Sequence, residues 1–323
     1  KNYFQNNQLG EMADLDPQEF KLSRVCSSFD KGKWKIHQFG YNQENKPVKK
    51  VAIVEDYFYY SKKHINDVIG EYGFRVEENE TAPSLYGEEV CKVYYKSIKA
   101  KRSLSKKYPE RVYEEDVLPE QRYILDNNVE WSEYRNIMYF DIETWYDDED
   151  PDGNMPDHAR MPITAIVGYS TLDEEYFVFS WQPEKTKDFE EPKLVSDGKV
   201  NYSFFANETD MLFSFIEFVR LSHVDVLTGW YSSQYDLPYI INRAKALNLD
   251  SRKLSPITQL KMYKKGDFYR IYLQGLDHID MQDALQDLGY NLPNWKLATA
   301  AETILADPDV EKLKASTWKN WLD

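Results

Sequence analysis

The chain has 323 residues, a formal net charge of −15, 42% hydrophobic residues and 15% aromatic residues. That is too much core-forming material for a disordered chain, and at ~150 residues per domain the length points to about two domains. A peptide hormone or a disulfide miniprotein is excluded; no run of ~18 apolar residues and no signal-peptide core is visible, so neither membrane insertion nor secretion is expected.

The charge is unevenly spread. Residues 1–130 hold 21 Lys and Arg against 22 Asp and Glu, and residues 131–323 hold 19 against 33. An acidic half is either a solvated surface or a place where carboxylates gather to hold divalent cations that face a phosphate. Composition alone does not choose between the two.

In chain order, VAIVEDYFYY (51–60) reads as one buried strand from its Val, Ile, Tyr and Phe content. Next comes a basic stretch at 92–107, with Lys92, Lys96, Lys99, Lys101, Arg102, Lys106 and Lys107 around Tyr94 and Tyr95. It is either a nucleic-acid track or the solvated face of an amphipathic element. The charge shift places a domain break near 130, giving domains 1–130 and 131–323.

Beyond the break, NIMYFDIE (136–143) is an apolar strand ending in acids. ITAIVGYST (163–171) and EYFVFSW (175–181) form an expected hairpin turning at Leu172, Asp173 and Glu174. VNYSFFA (200–206) precedes a helix capped by Asn207, with Met211, Phe215, Phe218 and Val219 at helical spacing. DVLTGW (225–230) returns to strand, and Pro238 opens a second helix. From 136 the succession is thus strand, strand, strand, helix, strand, helix, which mixes the two element types. The acidic run 147–157 reads as a solvated loop. Cys26 and Cys91 read as reduced thiols, and the five histidines have no metal-ligand spacing.

Asp141 and Glu143 lie two apart on a strand, so both side chains leave one face while Ile142 leaves the other. Such a pair is a solvated edge or half of a metal site. Asp236, just ahead of Pro238, is a helix cap or a third acid beside them. Three carboxylates around two hard cations would make a site that activates water and clamps a scissile phosphate.

YFDIET (139–144) resembles the first exonuclease motif of family B DNA polymerases, and TGWYSSQYDLPYIINR (228–243) resembles the second. The likeness continues in PITAIVGYSTLDEEYFVF (162–179), as in T4-like phage enzymes, and in KLSPI (253–257), DHIDMQDAL (277–285) and, upstream, VYEEDVLPEQRYILDN (112–127). It implies an α/β (α+β) fold, a ribonuclease-H-like domain with a mixed central sheet flanked by helices and preceded by a β-rich N-terminal domain, and a DEDD-type 3′–5′ exonuclease that proofreads during DNA replication with two Mg²⁺ or Mn²⁺ ions. By this resemblance Asp141 binds both ions, Glu143 binds one and orients the attacking water, and Asp236 holds the second. Thr144 lies beside the 3′-terminal nucleotide. Tyr235 stands where the family has Phe and Tyr231 where it has Asn, both on the nucleic-acid side.

The implied partners are the single-stranded 3′ end of primer–template DNA, the remaining polymerase domains or a second polymerase subunit, and a sliding clamp reached through the missing part. The implied compartment is cytoplasmic, that of a host cell for a phage enzyme, with no membrane partner. A third exonuclease motif, Tyr followed four residues later by Asp, is not found: four residues before Asp323 stands Lys319. No polymerase motif is found either, so the chain reads as the front of a longer polymerase. The alternative is a non-catalytic DNA-binding or scaffold subunit whose site a second polypeptide completes.

Overall fold

The first third of the chain folds its short apolar stretches into two small sheets. In the computed structural model, which describes residues 20–181, 193–196 and 200–305, strands β1 (Lys21–Asp30), β2 (Lys33–Tyr41) and β3 (Pro47–Val54) form one antiparallel sheet. Strands β4 (Tyr57–Ser61), β5 (Phe74–Pro83), β6 (Glu89–Tyr95) and β7 (Val112–Tyr113) form the other, in the order β5-β6-β4-β7. Helices α1 (Ile98–Lys107) and α2 (Pro119–Asn127) complete this part. Phe58, Tyr60, Val93, Tyr95 and Leu104 make its core, with Val68 closing it.

The stretch 51–60 corrects the sequence reading, because it is two strands in two sheets. Glu55 and Asp56 separate them: the Asp56 carboxylate accepts from the Tyr95 hydroxyl at 2.5 Å, and its carbonyl accepts from the Tyr95 N–H. Val51 and Ile53 on the edge strand β3 stay exposed, while Tyr57, Phe58 and Tyr60 of β4 are buried. The basic stretch 92–107 is a strand followed by a helix. Lys92 pairs with Glu80 at 2.6 Å, and Lys101 is buried 4.0 Å from Asp56. Lys99, Arg102, Lys106 and Lys107 form the solvated face of α1. Cys26 and Cys91 are free and buried.

The chain divides into two units at Arg135/Asn136. The second unit is built on a seven-stranded sheet. Its strands are β8 (Ile137–Thr144), β9 (Ile163–Ser170), β10 (Glu175–Trp181), β11 (Lys193–Ser196), β12 (Val200–Phe205), β13 (Val226–Gly229) and, introduced last in the chain, β16 (Asp277–Asp280). Their order is β11-β12-β10-β9-β8-β13-β16, with β8, β9 and β10 antiparallel in turn and β13 parallel to both β8 and β16. The predicted hairpin, strand and helix succession is present. Helix α3 (Glu208–Leu221) is capped by Asn207, whose Oδ1 accepts from the Asp210 N–H.

Alternation decides which face of the sheet is core. Met138, Phe140 and Ile142 of β8 are buried, and Phe140 meets Phe215 of α3 at 6.4 Å between ring centroids. Phe177 and Phe179 of β10 pack on Phe215 and Phe218. Gly168 on β9 permits this closeness, since a Cβ there would lie 2.1 Å from the Tyr139 carbonyl oxygen and 2.3 Å from the Phe177 ring. Helix α4 (Asp236–Ala246) packs beside α3. Between α4 and β16 runs a hairpin that sequence reading left out, β14 (Leu260–Lys265) with β15 (Phe268–Leu273). Helices α5 (Met281–Asp287) and α6 (Leu297–Leu305) follow. Lys319 and Asp323 lie outside the described residues. Among the described residues no helix is long and apolar enough to cross a membrane.

Candidate active site

Strand β8 carries Tyr139, Asp141 and Glu143 on the face opposite the core, all three exposed. Its neighbour β13 pairs with it only through Thr228, opposite Tyr139, so β8 runs on past the end of that partner. The gap is where Asp236 enters. Gly229 lets the chain turn sharply off β13: a Cβ there would lie 2.7 Å from the Phe140 carbonyl oxygen and 3.0 Å from Ser232 Cβ. Tyr231 then takes a left-handed backbone (φ 57°), and α4 begins at Asp236. Asp236 Oδ1 accepts from the Ile142 N–H at 3.2 Å, a donor that β13 is too short to satisfy.

This hydrogen bond draws two acids together. The carboxyl of Asp236, 3% exposed, comes close enough to that of Asp141 for the two charges to interact. Burial first, and the Asp141 charge second, push Asp236 up to about 8. Desolvation raises Asp141 as well, and it raises Glu143, to which the Asp141 charge adds. Among the described residues no lysine, arginine or histidine side chain is among the main influences on any of the three.

Two hard-oxygen donors held together without a cation of the protein's own fit a hard divalent ion. Glu143 shares their face without closing the set: among the described residues no three His, Cys, Asp or Glu side chains converge as metal ligands. Of the other three residues singled out from sequence, Thr144 and Tyr235 meet, their hydroxyl oxygens 3.3 Å apart. Tyr231 stands exposed at the turn, with its N–H donated to Asp280.

Sequence reading missed the residues that hold this turn. Asp280, buried at the end of β16, accepts from the Tyr231 N–H at 3.0 Å, the Ser233 N–H at 2.8 Å and the Gln282 N–H at 2.9 Å. Ser232 is fully buried against His278, whose imidazole burial pushes down to about 4. Gln234 Oε1 accepts from the Tyr269 N–H at 2.9 Å. The one available signal was the carboxylate of Asp280 between a strand and a helix, which reads as an ordinary cap.

The acidic run 147–157 is likewise not a free solvated loop. Asp150 accepts two hydrogen bonds from Arg160, and helix α4 grips the segment: Asn242 donates to the Pro156 carbonyl and the Tyr239 hydroxyl to the Met161 carbonyl, each at 2.8 Å. Arg243, paired with buried Glu208, adds a bond to the Arg160 carbonyl. Asp157 accepts from Tyr269 and Lys264 of the β14–β15 hairpin. That hairpin presents Lys261, Tyr263, Lys265, Phe268, Arg270 and Tyr272 on one exposed face, with the Tyr263 and Tyr272 rings stacked at 6.2 Å. In an acidic unit it is a basic and aromatic ribbon.

Comparison with known proteins adds an independent line. The family model for DNA polymerase family B, exonuclease domain, matches residues 90–300, about two thirds of the chain. The chain belongs to family B of the DNA polymerases, through its exonuclease domain.

Among its relatives, the DNA-directed DNA polymerase of Escherichia phage RB69 is 28% identical over 216 residues, covering 58% of this chain and 24% of that protein. A DNA polymerase of Thermococcus aggregans is 30% identical over 202 residues, covering 60% of this chain and 10% of that protein. The DNA-directed DNA polymerase of Enterobacteria phage T4 is 28% identical over 173 residues, covering 46% and 19%. The chain thus spans a quarter or less of the length of these relatives. Asp141, Glu143 and Asp236 all fall within the part matched to the family B exonuclease domain, and so does the basic hairpin.

Proposed function

We propose that this family B exonuclease domain is a 3′–5′ proofreading exonuclease that hydrolyses the terminal phosphodiester of single-stranded DNA during replication. The observation that carries the reading is the Asp141–Asp236 pair: Asp236, buried and held by the Ile142 N–H between Asp141 and Glu143 in the strand, sits where the Asp141 charge acts on it. Proteins retain such repulsion where a ligand relieves it.

Asp141 and Asp236, joined by Glu143, would hold divalent cations, two Mg²⁺ or Mn²⁺ in the reading favoured here. The ions supply an activated water and charge stabilisation at the scissile phosphate. The protein's own residues prepare for this. The Ile142 N–H fixes the orientation of Asp236, and the β-strand pleat keeps Asp141 and Glu143 on one face. Glu143, exposed on the same face as Asp141, would help orient the attacking water. Thr144 and Tyr235 border the position of the terminal nucleotide, and Tyr231 and the ribbon of Tyr263, Tyr272 and Arg270 offer stacking and charge to the strand leading to it. The natural setting of the reaction is a longer polymerase, whose other domains or second subunit deliver the primer end and reach a sliding clamp, in the cytoplasm of a host cell.

The test is digestion of a 5′-labelled single strand by the chain with Mg²⁺ or Mn²⁺. Stepwise loss from the 3′ end that disappears in EDTA and in Asp141→Ala is expected. No cleavage with any metal, together with undiminished strand binding in EDTA, would instead assign the chain as a non-catalytic DNA-binding subunit.

A further inference from the structure

Gln234 lies two residues before Asp236 and does what a neighbouring strand would do for β15. Its Oε1 accepts from the Tyr269 N–H at 2.9 Å, and its Nε2 donates to the Tyr269 carbonyl at 3.4 Å and to Ser233 Oγ at 3.0 Å. Tyr269 is buried and lies opposite Lys264 in the hairpin. Its neighbours Phe268 and Arg270 belong to the exposed basic and aromatic face. One amide side chain therefore joins the ribbon to the turn that delivers Asp236.

The rest of the turn is fastened elsewhere. Tyr231 and Ser233 bind Asp280, Ser232 binds His278, and the Ser233 hydroxyl binds Asp283 at 3.1 Å. These contacts come from β16 and α5, which follow the hairpin in the chain. Gln234 is the member of this set that reaches the hairpin itself. Beside the packing of β15 on β16, these two directed hydrogen bonds are a direct link from β15 to residues 233–236.

We propose that Gln234 is a positioning residue: it couples occupancy of the β14–β15 ribbon by a single strand to the placement of Asp236, so that strand binding tightens metal binding at the Asp141–Asp236 pair. The inference rests on the exonuclease reading above. By linkage the coupling is reciprocal, so bound metal tightens the strand by the same factor.

The experiment titrates Mn²⁺ into the full chain, following free Mn²⁺ by electron paramagnetic resonance, with and without a phosphorothioate oligothymidylate that resists cleavage. In the wild type the oligonucleotide should tighten Mn²⁺ binding about 5-fold or more. Gln234→Met keeps the length of the side chain and removes both bonds to Tyr269; it should bring the factor to below about 2 while oligonucleotide binding in EDTA holds and the protein, though melting somewhat lower for the lost bonds, stays folded at the assay temperature. Gln234→Glu keeps the acceptor for the Tyr269 N–H and should restore part of the coupling, which a purely structural role would not require. Tyr263→Ala should weaken the oligonucleotide and leave Mn²⁺ binding alone unchanged. Equal coupling in wild type and Gln234→Met, or none in the wild type, overturns the inference. A wild type that binds no Mn²⁺ overturns the exonuclease reading and the inference with it.

Discussion

Asp56 in the first unit and Asp236 in the second are both buried almost completely, and the two are treated in opposite ways. Asp56, 2% exposed, accepts from the Tyr95 hydroxyl at 2.5 Å and has Lys101 at 4.0 Å. Burial raises its carboxyl, and the Tyr95 hydrogen bond followed by the charges of Lys101 and Arg122 pulls it back. Asp236, 3% exposed, is raised by burial in the same way, but the largest further influence is the Asp141 charge, which raises it again. The structural acid is given a hydroxyl and a nearby cation for one carboxylate oxygen, although its Oδ1 has no hydrogen-bond partner. An acid kept for a ligand is left wanting.

The largest expected effect breaks the structural half of this comparison. Asp56→Ala removes the acceptor of Tyr95, which itself accepts from Trp34 Nε1 at 3.1 Å, and strands the buried ammonium of Lys101. Removing one partner of a buried pair costs roughly 3–5 kcal/mol, so urea unfolding should show a loss of that order. A variant as stable as wild type would mean that Lys101 finds water or another acid. Next comes the functional half. Asp236→Asn should lower metal-dependent 3′ digestion by about 100-fold or more while strand binding in EDTA survives, since a ligand to the metal is lost and the shape of the turn is not.

The same substitution should have the opposite sign on stability when metal is absent. A carboxyl raised in the folded state binds its proton more tightly there than in the unfolded chain, so folding is penalised only once the unfolded group has ionised. The penalty is absent below pH about 4, the unfolded value, grows as pH rises, and is complete above about 8, the folded value of Asp236. In EDTA the wild type should therefore lose stability between these limits. Asp236→Asn, which keeps an oxygen for the Ile142 N–H, should melt higher than the wild type at pH 8 and no higher at pH 4. Identical pH profiles for the two proteins would show that the pair ionises freely and is not strained.

What was legible in the sequence follows from which forces act locally. The strand alternation of 137–144, the Asn207 cap and the start of α4 near Pro238 are short-range, and they stand as read. Asp141, Glu143 and Asp236 were legible as chemistry because two motifs bracket them. Their meeting depends on something no local pattern encodes: β13 stops short of β8, leaving the Ile142 N–H for a side chain. The break within 51–60 escaped for a related reason, since Asp56 reads as a polar interruption until Tyr95, 39 residues later, claims it. The acidic run 147–157 looked free because its anchors, Asn242, Arg243 and Tyr269, lie some hundred residues downstream. The hairpin 260–273 is hard to read because Tyr263, Phe268 and Tyr272 stand with the cations on its exposed face and Lys264 sits on the face of Leu260, Met262, Ile271 and Leu273.

The smallest effect sharpens the comparison at the edge of the site, where a tyrosine stands in place of the Phe that the motif leads one to expect. The Tyr235 hydroxyl lies 3.3 Å from Thr144 Oγ1, long for a bond between hydroxyls and part-buried. A neutral hydrogen bond of this kind contributes about 0.5–1.5 kcal/mol at most, and the geometry places it at the low end. Tyr235→Phe should thus change kcat/KM for 3′ digestion by about 2- to 5-fold, without altering the metal requirement or the melting temperature. Thr144→Val should do the same. If the two hydroxyls act only through each other, the double variant will be no worse than either single one, because each substitution already removes the shared contact. Additive losses would instead mean that each hydroxyl touches the terminal nucleotide by itself, and the tyrosine would then be a second, independent contact rather than a brace for the threonine.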